Sequence, residues 1–170
     1  MLSYLFLLFH LLFALLVLFL VLAFVTGAPY VPSTDPVSHA MIRFARLKKG
    51  KKIYDLGSGD GKLLFLAANE GADATGFEIN PFLVLLTFFK SLRSPYKKHI
   101  HCQWKNFWTA PFSDADVVFV YLLPWRMETL EKKLMKECKK ETRIISNSFI
   151  FPHLKKIQAD EKNHVYVFRI

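Results

Sequence analysis

Residues 53–62 read IYDLGSGDGK, and the fold turns on them. Ile53, Tyr54 and Leu56 suit a buried strand, Gly57, Gly59 and Gly61 make a loop, and Lys62 opens an apolar stretch that stops at Gly71 in the manner of a helix C-cap. Strand, glycine loop and helix in that order are the first half of a βαβ unit. The glycines let the backbone turn sharply and approach a bound group more closely than a Cβ would allow. Two familiar occupants fit badly. A dinucleotide fingerprint, G-x-G-x-x-G counted from Gly57, needs its third glycine at 62, where lysine stands. A P-loop needs Gly-Lys followed by Ser or Thr, and Leu63 follows.

Outward from this loop, strands and helices alternate. A helix is expected over residues 35–47, opened by Asp35 as N-cap and Pro36, before a strand at 51–56. A helix at 62–70, a strand at 72–78 and a helix from Asn80-Pro81 to about Leu92 come next. Strands at 99–104 and 115–121, an amphipathic helix from 124 to about 139 and a strand at 142–148 complete the alternation. Residues 155–159 and 164–170 read as a closing hairpin. The pattern predicts an α/β, Rossmann-like sheet, mostly parallel with a C-terminal antiparallel hairpin, whose ligands bind beyond the carboxyl ends of the strands.

The chain has 170 residues, room for one domain with an appendage. Met1 to Thr34 carries no Asp, Glu, Lys or Arg. Residues 2–25 form a nearly unbroken apolar run, long enough for the ~20 residues of a membrane span. A cleaved signal peptide is the rival reading, but the run lacks a basic leader and Thr26-Gly27-Ala28 is only a passable cleavage site. His10 reads as a helix-face residue near the interface. The expected division is an N-terminal transmembrane helix at 1–26, a linker and leading helix at 27–50, and a catalytic domain at 51–170. Arg43, Arg46, Lys48, Lys49, Lys51 and Lys52 follow the span, so positive-inside bias places the domain on the cytoplasmic side, or the matrix side in a mitochondrion.

The net charge of +9 suits anionic head groups better than nucleic acid, since no aromatic-basic stripe accompanies it. Cys102 and Cys138 form neither a CxxC nor a Cys/His ligand set, so no metal is expected.

The loops that follow the strands supply candidate site residues. D-x-G-x-G-x-G at residues 55–61 is similar to the first motif of class I S-adenosylmethionine methyltransferases. In that setting Asp55 would hold the cofactor's amino-acid end, with Gly57, Ser58 and Gly59 beneath the adenosine. After the second strand, Glu78 stands where a carboxylate could accept both hydroxyls of a ribose diol, with Ile79 beside it. After the third, Asn106 and Phe107 offer an amide and an apolar face for adenine. After the fourth comes Tyr121-Leu122-Leu123-Pro124-Trp125, unlike the Asp/Asn-Pro-Pro-aromatic sequence usual in amino-directed nucleic-acid methyltransferases.

Ala28-Pro29-Tyr30-Val31-Pro32-Ser33 after the apolar run, then YDLGSGDGK, GFEINP, NFW, VVFVYLLPW and SNSFIFPH, resemble the membrane-anchored lysine methyltransferases. Members of that family modify the c subunit of ATP synthase and the adenine nucleotide translocase in mitochondria. The resemblance implies cofactor contacts at Asp55, Gly57, Gly59 and Glu78, and a catalytic-pocket role for Pro29, Tyr30, Val31 and Pro32. The family usually has Asp where this chain has Asn106. A membrane-associated protein would be the substrate and S-adenosylmethionine the cofactor.

Methyl transfer is an in-line displacement, so the nucleophile must stand about 3–3.5 Å from the methyl carbon. A lysine amine must first lose its proton, which a dry pocket beside a sulfonium favours. Tyr30 would orient the amine, and Tyr121 or Trp125 would wall the pocket; Tyr30 as an interfacial anchor is the alternative. The helix over 82–89 has almost no polar face, so its outer side must meet membrane, anchor or substrate unless neighbouring helices bury it. A methyltransferase acting on a lipid or quinone, and a non-enzymatic membrane adaptor, are the competing functions.

Overall fold

The computed structural model describes residues 2–26 and 30–170, with side chains in the first helix described at 3–18 and 21. Pro29, expected in the catalytic pocket, and the cleavage site at 26–28 reach into the three residues outside that description.

Helix α1, Leu2–Thr26, is apolar on all sides. Its described side chains are exposed, and His10 Nδ1 lies 2.8 Å from the Phe6 carbonyl on the helix's own surface. Among the described residues no helix is long and apolar enough to cross a membrane. The expectation of a helix over this run is met; its crossing of a membrane is not shown among the described residues.

Helix α2, Asp35–Ala45, begins one residue before its proline and ends at Arg46, whose φ of 50° breaks the helix in the left-handed region. Thr34, not Asp35, holds the N-cap position, and Asp35 lies in the first turn, where a carboxylate favours the helix dipole. Then come β1 (Lys52–Leu56), α3 (Lys62–Asn69), β2 (Asp73–Glu78), α4 (Pro81–Leu92), β3 (Ile100–Trp104), β4 (Val117–Val120), α5 (Pro124–Glu137), β5 (Arg143–Asn147), β6 (Lys156–Asp160) and β7 (Val165–Arg169). Each lies within two residues or so of its expected place.

The strands form one sheet in the order β3-β2-β1-β4-β5-β7-β6. The first five are parallel, and β7 runs antiparallel between β5 and β6. The hairpin is legible in the sequence; the insertion of its second strand beside β5 is not. Leu63, Leu64, Ala67 and Ala68 of α3 join Ala40, Met41 and Ala45 of α2 in a core with Ile53, Val117, Phe119 and Ile145. On the other face, Met127, Leu130 and Leu134 of α5 pack with Leu56, Val118, Val120 and Ile144. Alternate residues of β1, β4 and β5 thus enter opposite cores, as the two-residue strand period requires.

The chain runs outward from β1 to β2 and β3, then returns to place β4 on the other side of β1. That reversal opens a crevice at the carboxyl ends of β1 and β4, the position where open α/β sheets bind ligands.

Candidate functional site

A cavity of about 380 Å³ fills this crevice, within the range of small-molecule sites. Asp55 and the 57–60 loop come to it from β1, Glu78, Ile79 and Asn80 from β2, and Val120 and Tyr121 from β4. Tyr30, Val31, Pro32 and Ser33 cross its mouth as a strap, and Met41, Lys62, Leu63 and Leu83 line its sides.

The glycine loop is stitched to β2. Gly57 and Ser58 both donate backbone hydrogen bonds to the Phe77 carbonyl, at 2.9 and 3.1 Å. Gly57, Gly59 and Gly61 take φ of 80°, 56° and 82°, in the left-handed region where a side chain is strained. Beneath the loop, a β-carbon on Gly76 would stand 2.4 Å from Ser58 Oγ and 2.8 Å from Leu64 Cδ1. Gly76 therefore lets the loop sit down on β2. An isolated glycine within a strand is the signal for it in the sequence.

Helix α4 holds the loop from the side. Thr87, fully buried, donates through Oγ1 to the Gly59 carbonyl at 3.3 Å. Lys90 Nζ pairs with Asp60 Oδ2 at 2.8 Å. Neither residue belongs to a motif in the sequence, although Thr87 is the one polar residue within the apolar run 82–89.

Glu78 is buried and braces the same loop: Oε2 accepts from Gly59 N at 2.9 Å and Oε1 from Asn80 N at 2.8 Å. Each carboxylate oxygen has a second lone pair, so the group keeps capacity for two hydroxyls. Asp55 differs. It is buried, lines the cavity, and its carboxylate accepts no hydrogen bond among the described residues. Burial, then the charges of Glu78 and Asp60, push its pKa up to about 7. A carboxylate so placed is held at high energy in its charged form, which a cation entering the cavity would relieve.

The strap is tied down at Ser33. Lys62 Nζ donates to the Ser33 carbonyl at 2.7 Å and pairs with Asp35 at 3.1 Å, and Asn147 Nδ2 donates to Ser33 Oγ at 3.3 Å. The stretch that follows Asn147, the last residue of β5, is anchored in turn by buried Glu131. That carboxylate accepts from His153 N at 2.9 Å and from Leu154 N.

Two expected adenine residues lie elsewhere. Phe107 is buried in the core with Phe77 and Phe112, and Asn106 Oδ1 caps a short 3₁₀ turn by accepting from Trp108 N at 3.0 Å. Neither lines the cavity. The chain turns into the core directly after β3, carrying Phe107 with it. Trp125, expected as an alternative wall, is exposed at the start of α5 and outside the lining. Among the described residues the remaining expected ones, namely Tyr30, Pro32, Tyr121, Asp55, Gly57, Ser58, Gly59, Glu78 and Ile79, meet in this cavity.

A β-sheet crevice with a glycine loop, an acid at the end of β2 and an unpaired acid at β1 suits an adenosine-bearing cation. Residues 55–158 match the ANTKMT methyltransferase domain. The chain belongs to this family.

The chain is 35% identical over 125 residues to the Xenopus laevis lysine N-methyltransferase that is named for the c subunit of ATP synthase, covering 74% of this chain and 55% of that one. It is 30% identical over 157 residues to a protein-lysine N-methyltransferase of Saccharolobus islandicus, covering 88% and 98%. The chain spans about half the length of the vertebrate relatives it matches. Among solved structures, an RNA methyltransferase from Salinibacter ruber in complex with S-adenosyl-L-homocysteine superposes with a TM-score of 0.78 at 29% identity, over 82% of this chain and 94% of that one. The domain has the class I Rossmann-like methyltransferase fold with a mixed sheet.

Proposed function

We propose that this chain transfers a methyl group from S-adenosylmethionine to the ε-amino group of a lysine in a membrane-associated protein. The observation that carries the reading is Asp55, a buried carboxylate facing the cavity with no protein partner among the described residues and two further acids nearby. An ammonium or sulfonium group is the natural counter-charge. When bound, S-adenosylmethionine supplies an activated methyl group on a cationic sulfur. Asp55 would hold the amino-acid end, Glu78 the ribose, and the backbone of Gly57, Ser58 and Gly59 the underside of the nucleoside. The acceptor would enter between Tyr30 and Tyr121. A lysine ammonium has a reference pKa of about 10.4 and no free lone pair. Exclusion of water by the strap favours its neutral form, and the proton leaves to solvent before transfer. The Tyr30 hydroxyl would orient the amine.

The lysine-methylating relatives support a protein substrate, and the Saccharolobus one is covered almost end to end. The apolar run at 2–25 supports a single-pass anchor, with the domain on the cytoplasmic or matrix side as the following basic residues favour. The Salinibacter RNA methyltransferase and the charge of +9 favour a second reading, an RNA substrate. The post-β4 sequence YLLPW speaks against amino methylation of a base. Incubating the chain and membranes with radiolabelled S-adenosylmethionine separates these readings. Label should enter a protease-sensitive, RNase-resistant fraction. Label in the organic extract would move the assignment to a lipid or quinone, and RNase-sensitive label to RNA. No detectable S-adenosylmethionine binding by calorimetry would point to a non-enzymatic adaptor.

A further inference from the structure

Helix α4 is the most exposed α-helix of the domain. Its inner side, Thr87 and Ser91, is buried, but Phe82, Leu85, Leu86, Phe88, Phe89 and Leu92 are all exposed, Phe82 at 81%. Residues 82, 85, 86 and 89 share one helical face, with 88 and 92 at its flanks. So large an apolar surface on a soluble domain marks a partner.

We propose that this face lies in the headgroup–acyl boundary of an anionic bilayer and sets the mouth of the cavity at the membrane surface. The proposal rests on the reading of α1 as a membrane anchor. Three observations favour lipid as the occupant. At 12 residues α4 is about 18 Å long, too short to span and suited to lying in plane. It is a convex single helix resting on β2 and β3 rather than a groove for a protein ligand. Arg93, Lys97 and Lys98 follow it, exposed and without an acidic partner among the described residues, as anionic head groups require. Chain length adds a fourth. Four peptide steps from Thr26 to Tyr30 reach at most about 14 Å, so a bilayer entered by α1 must pass close to the strap. Leu83, beside Phe82, lines the same cavity. Because buried Thr87 and exposed Lys90 of α4 both hold the glycine loop, the lipid-facing surface and the cofactor loop form one rigid unit.

The test is nitroxide accessibility on the full chain, reconstituted in phosphatidylcholine vesicles with and without phosphatidylserine. Labels go at Phe88→Cys on α4, Lys132→Cys on exposed α5 and Phe9→Cys in α1. Cys102 and Cys138 are partly buried, and wild-type protein treated alike gives their background. The Phe88 label should be several-fold more accessible to oxygen relative to a nickel chelate than the Lys132 label, more so with phosphatidylserine. Replacing Arg93, Lys97 and Lys98 by Gln should erase that phosphatidylserine dependence. A Phe88 label as open to nickel as Lys132, while Phe9 reads as lipid, overturns the proposal and leaves the anchor standing; all three open to nickel overturns both. Dipolar broadening at Phe88, the mark of a second copy, overturns it. So does exclusion of both reagents, the mark of a protein segment, α1 included.

Discussion

The ring of Tyr30 lies against the backbone of Gly59. A β-carbon at residue 59 would stand 2.8 Å from Tyr30 Cε2. The strap and the glycine loop, 29 residues apart in sequence, are therefore built to each other's shape at the mouth of the cavity.

This contact separates two parts of Tyr30. Tyr30→Phe keeps the ring on Gly59 and removes the hydroxyl, so kcat should fall by about tenfold or more while the KM for S-adenosylmethionine stays near wild type. Tyr30→Ala should in addition raise that KM. Steady-state kinetics of both variants decide the matter; full activity in both would remove Tyr30 from the mechanism.

Asp55 makes binding pH-dependent. Its folded pKa, about 7, lies above the ordinary carboxylate value of 3.8. A cationic ligand is held by the ionised form, so calorimetry should find S-adenosylmethionine bound roughly fivefold to tenfold more tightly at pH 7.5 than at pH 6. Asp55→Asn should bind weakly and with little pH dependence.

The same shift has a consequence for stability. A carboxyl whose folded pKa is raised disfavours the folded state progressively as pH rises from about 4 through 7. Without ligand, Asp55→Asn should therefore melt several degrees above wild type at pH 8, with the difference vanishing near pH 4. Equal melting temperatures at pH 8 would show that Asp55 is not under the strain assigned to it.

Gly76→Ala should destabilise the domain by about 1–3 kcal/mol, because the added methyl meets Ser58 and Leu64 inside ordinary contact distance. Thermal melting reports the loss, and cofactor binding should weaken with it as the loop is lifted from β2.

Thr87→Val removes the hydroxyl that donates to the Gly59 carbonyl and keeps the shape. An unpaired buried carbonyl costs about 1–3 kcal/mol, and the loop it belongs to is the cofactor loop. The KM for S-adenosylmethionine should rise several-fold, with Thr87→Ser close to wild type.

Much of the fold and site is open to reading because the signals are local. Asp55-x-Gly-x-Gly-x-Gly61, the alternation of strand and helix, and the Asp160–Asn163 turn, in which Asn163 bonds both Asp160 oxygens, each lie within a few residues. Asn106 and Phe107 show what such reading leaves open. A polar residue followed by aromatics after a strand describes a ligand wall and a capped turn with a core plug equally well. Only the direction of the chain after β3, inward to Phe77 and Phe112, separates them. Thr87 and Lys90 escape sequence reading for a related reason, since nothing in an apolar helix tells which side will face the loop.

The sequence by itself determined the order of the elements, the glycine loop and the acids at the ends of β1 and β2, because strand period, helix period and glycine conformation are properties of short segments. Which side chains surround Asp55 was decided by tertiary structure. Tyr30, Met41, Glu78 and Tyr121 reach one cavity because the sheet reverses its order at β1 and brings distant loops to a single edge. The unpaired state of the Asp55 carboxylate, and the exposure of α4, follow from what packs against them, which no local pattern records.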